Sequence, residues 1–444
     1  MFLFHLELQH TVYWLVTCSF LEQYKKMEKL LKTIKKLIPK KLFGAIQPIY
    51  HYLLALFGAI IYRFPSKQIK VVAVTGTKGK TSTAEFINSI LEEAGKKTAL
   101  MGTLRFKIRD ESKPNLYKMT MPGRMFVQRF LRKAVDVGCE YVVVEISSEA
   151  AKQYRNKFID LDVLIFTNLA PEHIESHGSY EKYIEAKLSI AKELEHSCKN
   201  NKRIIVNIDD KEAVRFLDIS ITKKIIYSLD YVKDIVMTEE STNFIYKGVK
   251  IETVLPGKFN IYNILGAIKF AESEGIDLET VKGALLKLKE IGGRAQRIDE
   301  GQDFKVIVDY AHTPDSLAAI YETYSQSRII GVLGNCGGGR DKWKRKEMAE
   351  IADKYCDEAI LTDEDPYDDD PREIVEDMTK YFKKHKPKIV MDRREAIAMA
   401  FKNARSGDTI IVTGKGTDPY IMRKNGEKER WSDAEVAREE LKKL

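Results

Sequence analysis

From Ile69 to the C-terminus, short continuous apolar runs alternate with longer stretches whose apolar residues recur every three or four positions. The runs IKVVAVTG, YVVVEIS, VLIFTN and RIIVNI are apolar at consecutive positions, the pattern of parallel strands buried on both faces. Amphipathic helices are predicted between them at 83–95, 124–137 and 179–196. Short β-like runs fill 224–256, and helical spacing returns at 260–274 and 277–289. A second strand–helix series opens at FKVIVDY (304–310) and continues through RIIGVLG, EAILTD, KIVMD and DTIIVTG. This alternation predicts an α/β chain of two successive modules, 69–297 and 298–444, divided just after Gly292, Gly293 and Arg294.

Residues 1–68 have a different texture. The opening MFLFHLELQHTVYWLVTCSF is apolar but lacks a basic leader and a small-residue cleavage site, which argues against a secretory signal; Met27 is a second candidate start. Residues 27–42 place Met27, Leu30, Leu31, Ile34, Leu37 and Ile38 at helical spacing with lysines on the other faces, a basic amphipathic helix. The apolar segment 43–64 is broken by Gln47, Pro48 and His51, so it reads as an interfacial anchor rather than a spanning helix. A helical hairpin packed on the body of the protein is the alternative. Residues 27–64 thus carry an expected peripheral membrane contact.

Composition narrows the function classes. The net charge of +8 on 444 residues suits phosphate-bearing substrates or an anionic membrane surface. No helix-turn-helix, finger or RNA-recognition signature accompanies it, so nucleic acid is not an expected partner. The five cysteines are scattered without metal-ligand spacing, which predicts a reducing, cytoplasmic compartment; the basic and apolar N-terminal segment suggests a place at the inner face of the membrane.

The sharpest motif is VTGTKGKTST (74–83), at the end of an apolar strand and the start of a helix. Gly76 and Gly79 would let backbone N–H groups of Thr77, Lys78 and Ser82 face phosphates; Lys80 would reach the β- and γ-phosphates and Thr81 would hold Mg²⁺. Val74 stands where the general pattern has a further glycine.

This loop resembles that of the Mur ligases and their folylpolyglutamate-forming relatives, and the resemblance runs from about residue 69 to 440. It implies a central P-loop parallel-sheet ATPase domain followed by a smaller Rossmann-like domain, with a helical N-terminal extension. In EISS (145–148) Glu145 matches a Mg²⁺ ligand; in FTNLAPEHIESHG (166–178) His173 takes the metal-ligand position, with Glu172 where the family often has Asp. Lys187, ending YIEAK, matches a lysine carried as N6-carboxylysine. Asn260 and Asn263 of FNIYN fall near the adenine, Arg294 of GGR reaches the nucleotide, and DYAHTPDSL (309–317) brings Asp309 and His312 to its edge. The family's GRME is GRAQ here.

On the substrate side, SSEAAKQYR (147–155) resembles the branch of the family that adds the third residue of the muramyl peptide. Ser147, Gln153 and Arg155 match contacts to the muramyl-peptide precursor; Thr120 lies in TMP where the family has TTP, and Glu149 replaces a usual His. GNCGGGRDKWKR (334–345) brings Arg340 to the place of a clamp on the amino acid's carboxylate. Gly414 and Asp418 belong to GKGTDPY, with Asp418 standing for a glutamate that receives the amino-acid side chain. Asp365, Pro366 and Tyr367 occupy the selectivity segment, read as DNPR in diaminopimelate-adding members. With that arginine replaced and with Asp363, Glu364, Asp365 and Asp368 close by, charge favours a lysine-like side chain over diaminopimelate.

The resemblance implies a monomeric ligase using ATP and Mg²⁺, a muramyl-peptide precursor and an amino acid. The family's N-terminal uridine-binding domain has no counterpart in residues 1–68, which suggests that the precursor is held differently or is lipid-linked. Two other readings stay open, a folylpolyglutamate-type ligase and a non-ligating ATP-binding subunit.

Overall fold

The computed structural model describes residues 40–444 apart from His173 and Asp341, with side chains from Ile46 onward. Two compact units are distinguished, Met1–Leu54 and Ala55–Leu444. The basic helix expected over 27–42 lies outside the described residues except for its last three positions.

The larger unit contains two extended sheets. The first is built from β1 (Lys70–Thr75), β2 (Thr98–Met101), β3 (Arg105–Ile108), β4 (Glu111–Pro114), β5 (Tyr141–Glu145), β6 (Val163–Phe166), β7 (Arg203–Asn207) and β8 (Lys223–Tyr227). Their order is β4-β3-β2-β5-β1-β6-β7-β8. All pair in parallel except β3 and β4, which add an antiparallel edge. The central strands are buried along their length because each face is covered by a separate apolar core. That explains their unbroken runs of Val, Ile and Leu. The β3–β4 hairpin went unread in the sequence because β4 (ESKP) is exposed throughout and has no apolar pattern.

A small antiparallel sheet follows, β9 (Val232–Met237), β10 (Thr242–Tyr246) and β11 (Val249–Thr253). Phe244, Tyr246 and Ile251 from it join Ile264, Ile268 and Val281 of the helices Lys258–Glu274 and Leu278–Lys287 in the core of the first sheet. The second large sheet comprises β12 (Gln296–Ile298), β13 (Lys305–Val308), β14 (Ile329–Leu333), β15 (Glu358–Leu361), β16 (Lys388–Ile389) and β17 (Thr409–Val412). Its order is β12-β13-β17-β14-β15-β16, parallel but for β12. A two-stranded ribbon, β18 (Tyr420–Met422) with β19 (Lys428–Arg430), precedes the last helix, Asp433–Leu441.

Residues Lys40–Ile61 form one helix that continues through Pro48. At its C-terminal end Ala55, Ala59 and Tyr62 are buried, and Arg132 Nε donates to the Tyr62 carbonyl at 3.0 Å. Along the opposite face Ile46, Ile49, Leu53, Phe57 and Ile60 are each between 45% and 62% exposed. No helix among the described residues is long and apolar enough to cross a membrane.

Candidate active site

Strand β1 lies between β5 and β6, so the chain departs to opposite sides at its C-terminal end and leaves a crevice there. The loop Gly76–Gly79 fills that crevice and opens the helix Lys80–Glu93. Neighbours dictate both glycines. A Cβ on Gly76 would sit 1.9 Å from Thr167 Oγ1, and one on Gly79, whose φ is +79°, would sit 2.2 Å from Asn263 Oδ1. The segment after β6 braces the loop: Thr77 N donates to the Asn168 carbonyl at 2.8 Å and Lys78 N to Asn168 Oδ1 at 2.9 Å. Thr167 Oγ1 donates to the Lys78 carbonyl at 2.6 Å, while Ser82 is buried in the first helical turn. Beneath, Asn263 Nδ2 donates to Asn260 Oδ1 at 3.2 Å, and Asn260 Nδ2 to the Pro256 carbonyl at 2.9 Å.

Two lysines converge on one carbonyl oxygen. Lys80 Nζ donates to Gly76 O at 2.8 Å, and Lys187 Nζ, from the helix Tyr180–His196, donates to the same atom at 2.7 Å. Lys187 is fully buried. Desolvation, reinforced by Lys80, holds its ammonium well below the ordinary lysine range. Desolvation also lowers Lys80, against the attraction of Glu172 and Glu145.

Glu145 ends β5 at the loop. It accepts from Thr81 Oγ1 at 2.9 Å and from Thr103 N and Oγ1 at 2.8 and 2.9 Å. Desolvation raises its carboxyl above the usual range. His173, the third expected metal ligand, lies outside the described residues. Among the described residues no three His, Cys, Asp or Glu side chains form a metal cage. The adjacent oxygens of Thr81 and Glu145 instead fit a hard cation that completes its shell with water and phosphate oxygens.

The second sheet closes the far side. The Arg294 guanidinium lies 4.7 Å from the Tyr310 ring centroid, with Nη2 at 3.4 Å from Thr81 Oγ1. Asp309 accepts from Ala295 N at 2.6 Å and Ala311 N at 2.7 Å. His312 Nε2 lies 2.8 Å from Glu172 Oε1, and Lys78 pairs with Asp315 at 3.0 Å. Loop and sheet are thus tied directly.

A cleft of about 630 Å³ opens beside the loop, lined from the first module by Thr120, Ser147, Gln153 and Arg155 and from the second by Arg340 and Asp418. Thr120 Oγ1 meets Thr103 Oγ1 at 3.0 Å. Ser147 caps the helix Ser148–Lys152 through Ala150 N. Gln153 accepts from Arg155 Nη2 at 2.7 Å and donates to Glu149, while Arg155 Nη1 donates to the Met121 carbonyl at 2.7 Å.

The segment after β15 is not a set of bare acids. Asp365 Oδ1 pairs with Lys415 at 2.9 Å and its Oδ2 with Lys118 at 2.6 Å. Asp363 pairs with Arg423, Glu364 accepts from Cys336 Sγ at 3.0 Å, and Asp368 accepts from Asn425 N at 2.8 Å. The charge argument for a lysine-like substrate is therefore weakened: Asp363 and Asp365 are already paired with cations of the protein. Pro366 is buried, and Tyr367, with φ +54°, accepts through its hydroxyl from Arg340 Nη2 at 2.7 Å. Gly414 packs so closely that a Cβ would lie 2.3 Å from Glu364 Oε2. Below it, Arg393 forms a two-pronged bond to Asp433, both fully buried, and donates to the carbonyls of Asp363 and Thr413. Asp433 also accepts from Gly416 N at 3.1 Å.

Lys415, Thr103 and Lys118 are among the residues of this site that carried no prior role from sequence. Lys415 lies inside the quoted GKG turn and could have been read from it. Thr103 and Lys118 sit in aperiodic connections and gave no signal.

The chain matches the Mur ligase middle domain over residues 74–271 and the Mur ligase glutamate ligase domain over 293–416. It is 39% identical over 405 residues to a UDP-N-acetylmuramoyl-L-alanyl-D-glutamate–2,6-diaminopimelate ligase of Syntrophomonas wolfei, covering 88% of this chain and 81% of that protein. The enzyme of the same name from Geobacillus kaustophilus is 36% identical over 404 residues, covering 88% and 82%. A solved structure of a ligase with that name superposes with a TM-score of 0.60 at 28% identity, over 88% of this chain and 83% of the other. The Mycobacterium tuberculosis folylpolyglutamate synthase complexed with ADP and AMPPCP shares the fold, with a TM-score of 0.65 at 15% identity over 82% and 92% of the two chains.

Proposed function

The chain belongs to the Mur ligase family and is an ATP-dependent ligase that forms amide bonds, and on that premise we propose that it adds a diamino acid as third residue to a muramoyl-L-alanyl-D-glutamate precursor. The observation that carries this reading is the shared cleft. Ser147, Gln153 and Arg155 face Arg340 and Asp418 across one cavity, and Arg294, which also lines it, reaches Thr81 at the phosphate loop, so an acceptor, a nucleotide and an amine can meet there. The names of the relatives support the diamino acid.

The acceptor's carboxylate oxygen attacks the γ-phosphorus of ATP; the bond to the bridging oxygen breaks, leaving ADP and an acyl phosphate. The amino acid's amine, having lost a proton, then attacks the acyl carbon. The tetrahedral adduct expels inorganic phosphate and sheds a second proton from nitrogen. Lys80, Arg294 and the N–H groups of the 76–82 loop offset charge on the phosphoryl group as it transfers. Asn260 and Asn263 support the loop from beneath, His312 and Glu172 hold the second module against it, and Asp309 braces the segments that carry Arg294 and His312. Arg340, oriented by Tyr367, takes the amino acid's carboxylate. Thr81, Glu145 and His173 would hold Mg²⁺, which supplies further neutralisation of phosphate oxygens when bound.

Lys187 is proposed to carry a carbamate. Two ammonium groups on the Gly76 carbonyl repel each other, and burial favours the neutral amine, the form that adds CO₂. The product keeps an N–H for Gly76 and puts negative charge beside Lys80.

A peripheral contact with the inner face of the membrane is supported by the exposed row Ile46, Ile49, Leu53, Phe57 and Ile60, which follows a lysine-rich stretch. Flotation with anionic liposomes would test it: loss of binding in Leu53→Glu/Phe57→Glu is expected, and equal recovery of both proteins in the soluble fraction would remove the idea.

The ligase reading is tested by ADP release. Release should require both UDP-N-acetylmuramoyl-L-alanyl-D-glutamate and a diamino acid. ADP formation indifferent to either would point to a non-ligating ATPase.

A further inference from the structure

Lys118 belongs to the first module, in the connection between β4 and the helix Arg124–Asp136, yet its ammonium is lodged in the second. Its three partners there are Asp365 Oδ2 at 2.6 Å, Asp418 Oδ2 at 3.2 Å and the Tyr420 carbonyl at 3.1 Å. Two of these contacts are hydrogen bonds, to Asp365 and the Tyr420 carbonyl, and the third is an ion pair with Asp418. Lys415, native to that module, uses the same three groups from the buried side: Asp365 Oδ1 at 2.9 Å, Asp418 Oδ2 at 3.1 Å and the Tyr420 carbonyl at 2.6 Å.

The two lysines differ in how they are held. Lys415 has 1% of its side chain exposed, whereas Lys118 has 15% and lines the cleft. The Lys118 backbone has φ +56°, a left-handed conformation that a side-chain-bearing residue holds only under constraint. Asn115 anchors the connection just before it, donating to the carbonyls of Gly102 and Met119 at 2.9 and 3.0 Å. Desolvation and repulsion from Lys415 also lower the Lys118 ammonium below its ordinary range; its greater exposure and its place on the cleft wall make it the cation of the two that an entering group meets first. Asp418 and the Arg340 clamp border the same cleft.

We propose that Lys118 holds the place of the incoming amino acid's side-chain ammonium and is displaced by it. This rests on the ligase reading above and adds a selection rule to it. A substrate with a second ammonium exchanges one cation for another and leaves Asp365 and Asp418 paired. An amino acid with a neutral side chain cannot make that exchange: it would have to leave two buried carboxylates short of a cation, or stop outside Lys118. Specificity for a diamino acid then arises from competition with a tethered internal cation, not from bare acids waiting for charge.

The test is steady-state kinetics of Lys118→Met with UDP-N-acetylmuramoyl-L-alanyl-D-glutamate, ATP and either meso-diaminopimelate or L-lysine. Removing an occupant that fills the site most of the time lowers the apparent KM for the preferred diamino acid by about tenfold, with the KM for ATP unchanged. Lys118→Arg, which keeps a cation, restores a KM close to that of the wild type. An amino-acid KM that is unchanged or higher in Lys118→Met overturns the proposal, the latter by making Lys118 a brace between modules. If Lys118→Met is unfolded by thermal melting, Lys118→Gln is measured in its place with the same two outcomes. Should the wild type form no amide with either amino acid, the ligase reading fails instead.

Discussion

His312, from the segment after β13, meets Glu172, from the segment after β6, at 2.8 Å. One residue comes from each α/β module, and both flank the phosphate loop. With Lys78–Asp315 and Arg294–Thr81, this contact ties the second module to the 76–81 loop. If the loop binds the nucleotide as proposed, closure of the two modules is coupled to the charges at that loop.

The pair should behave as a unit. Glu172→Ala and His312→Ala are each expected to lower kcat/KM for ATP, and the double variant to lose less than the sum, with a coupling of about 0.5–3 kcal/mol. A double-mutant cycle on ADP release measures it. Strict additivity would show that the contact does not couple the modules.

The loop should tolerate loss of charge structurally but not an added methyl. Lys80→Ala keeps a good helix former at the start of the helix and is expected to melt near the wild type while losing at least about 10²-fold in turnover. Gly79→Ala places a methyl 2.2 Å from Asn263 Oδ1 at φ +79° and is expected to cost about 1–3 kcal/mol of stability as well as activity. Calorimetry beside an ADP-release assay separates the two; near-normal ligation by either variant contradicts the site.

For Lys187 the direction of the shift fixes the pH dependence. Its amine is neutral in the fold well below pH 10.5 because burial and Lys80 disfavour the ammonium. CO₂ adds only to the neutral form, so a carbamate should be present at neutral pH and lost as the pH falls through the depressed value. Carbon-13 NMR of protein equilibrated with labelled bicarbonate reads this directly. Wild-type protein should show one carbamate resonance that Lys187→Met lacks, and identical spectra would remove the assignment.

Asp365 has the opposite sign. Desolvation works to raise it, but Lys415 and Lys118 hold its carboxyl below 3.8. Above that value both the folded and the unfolded chain are ionised and the pairing contributes fully. As the pH falls below it, the unfolded chain takes up the proton first and the stabilisation fades. Asp365→Asn should melt lower than the wild type at neutral pH, and the gap should narrow on acidification below about pH 4. A constant gap would show that the carboxylate is not held ionised by its lysines.

Much of this arrangement was legible before any coordinates. The strands around β1 announced themselves because burial on both faces demands unbroken apolar runs, and the loop because only glycine fits against Thr167 and Asn263. The selectivity segment was harder to read. Asp365 looked like an unpaired acid because its partners lie 50 and 247 positions away, and charge balance across such distances leaves no mark on local spacing. The β3–β4 edge was silent for a simpler reason: a strand with no buried face carries no hydrophobic code.

The buried fork between Arg393 and Asp433 shapes the Gly414–Gly416 turn from beneath, although neither residue lines the cleft. Damage there would travel outward as a misshapen floor. A screen that scores only product would record substitutions at 393 or 433 as failures of amino-acid capture, while every side chain that touches the amino acid remained intact.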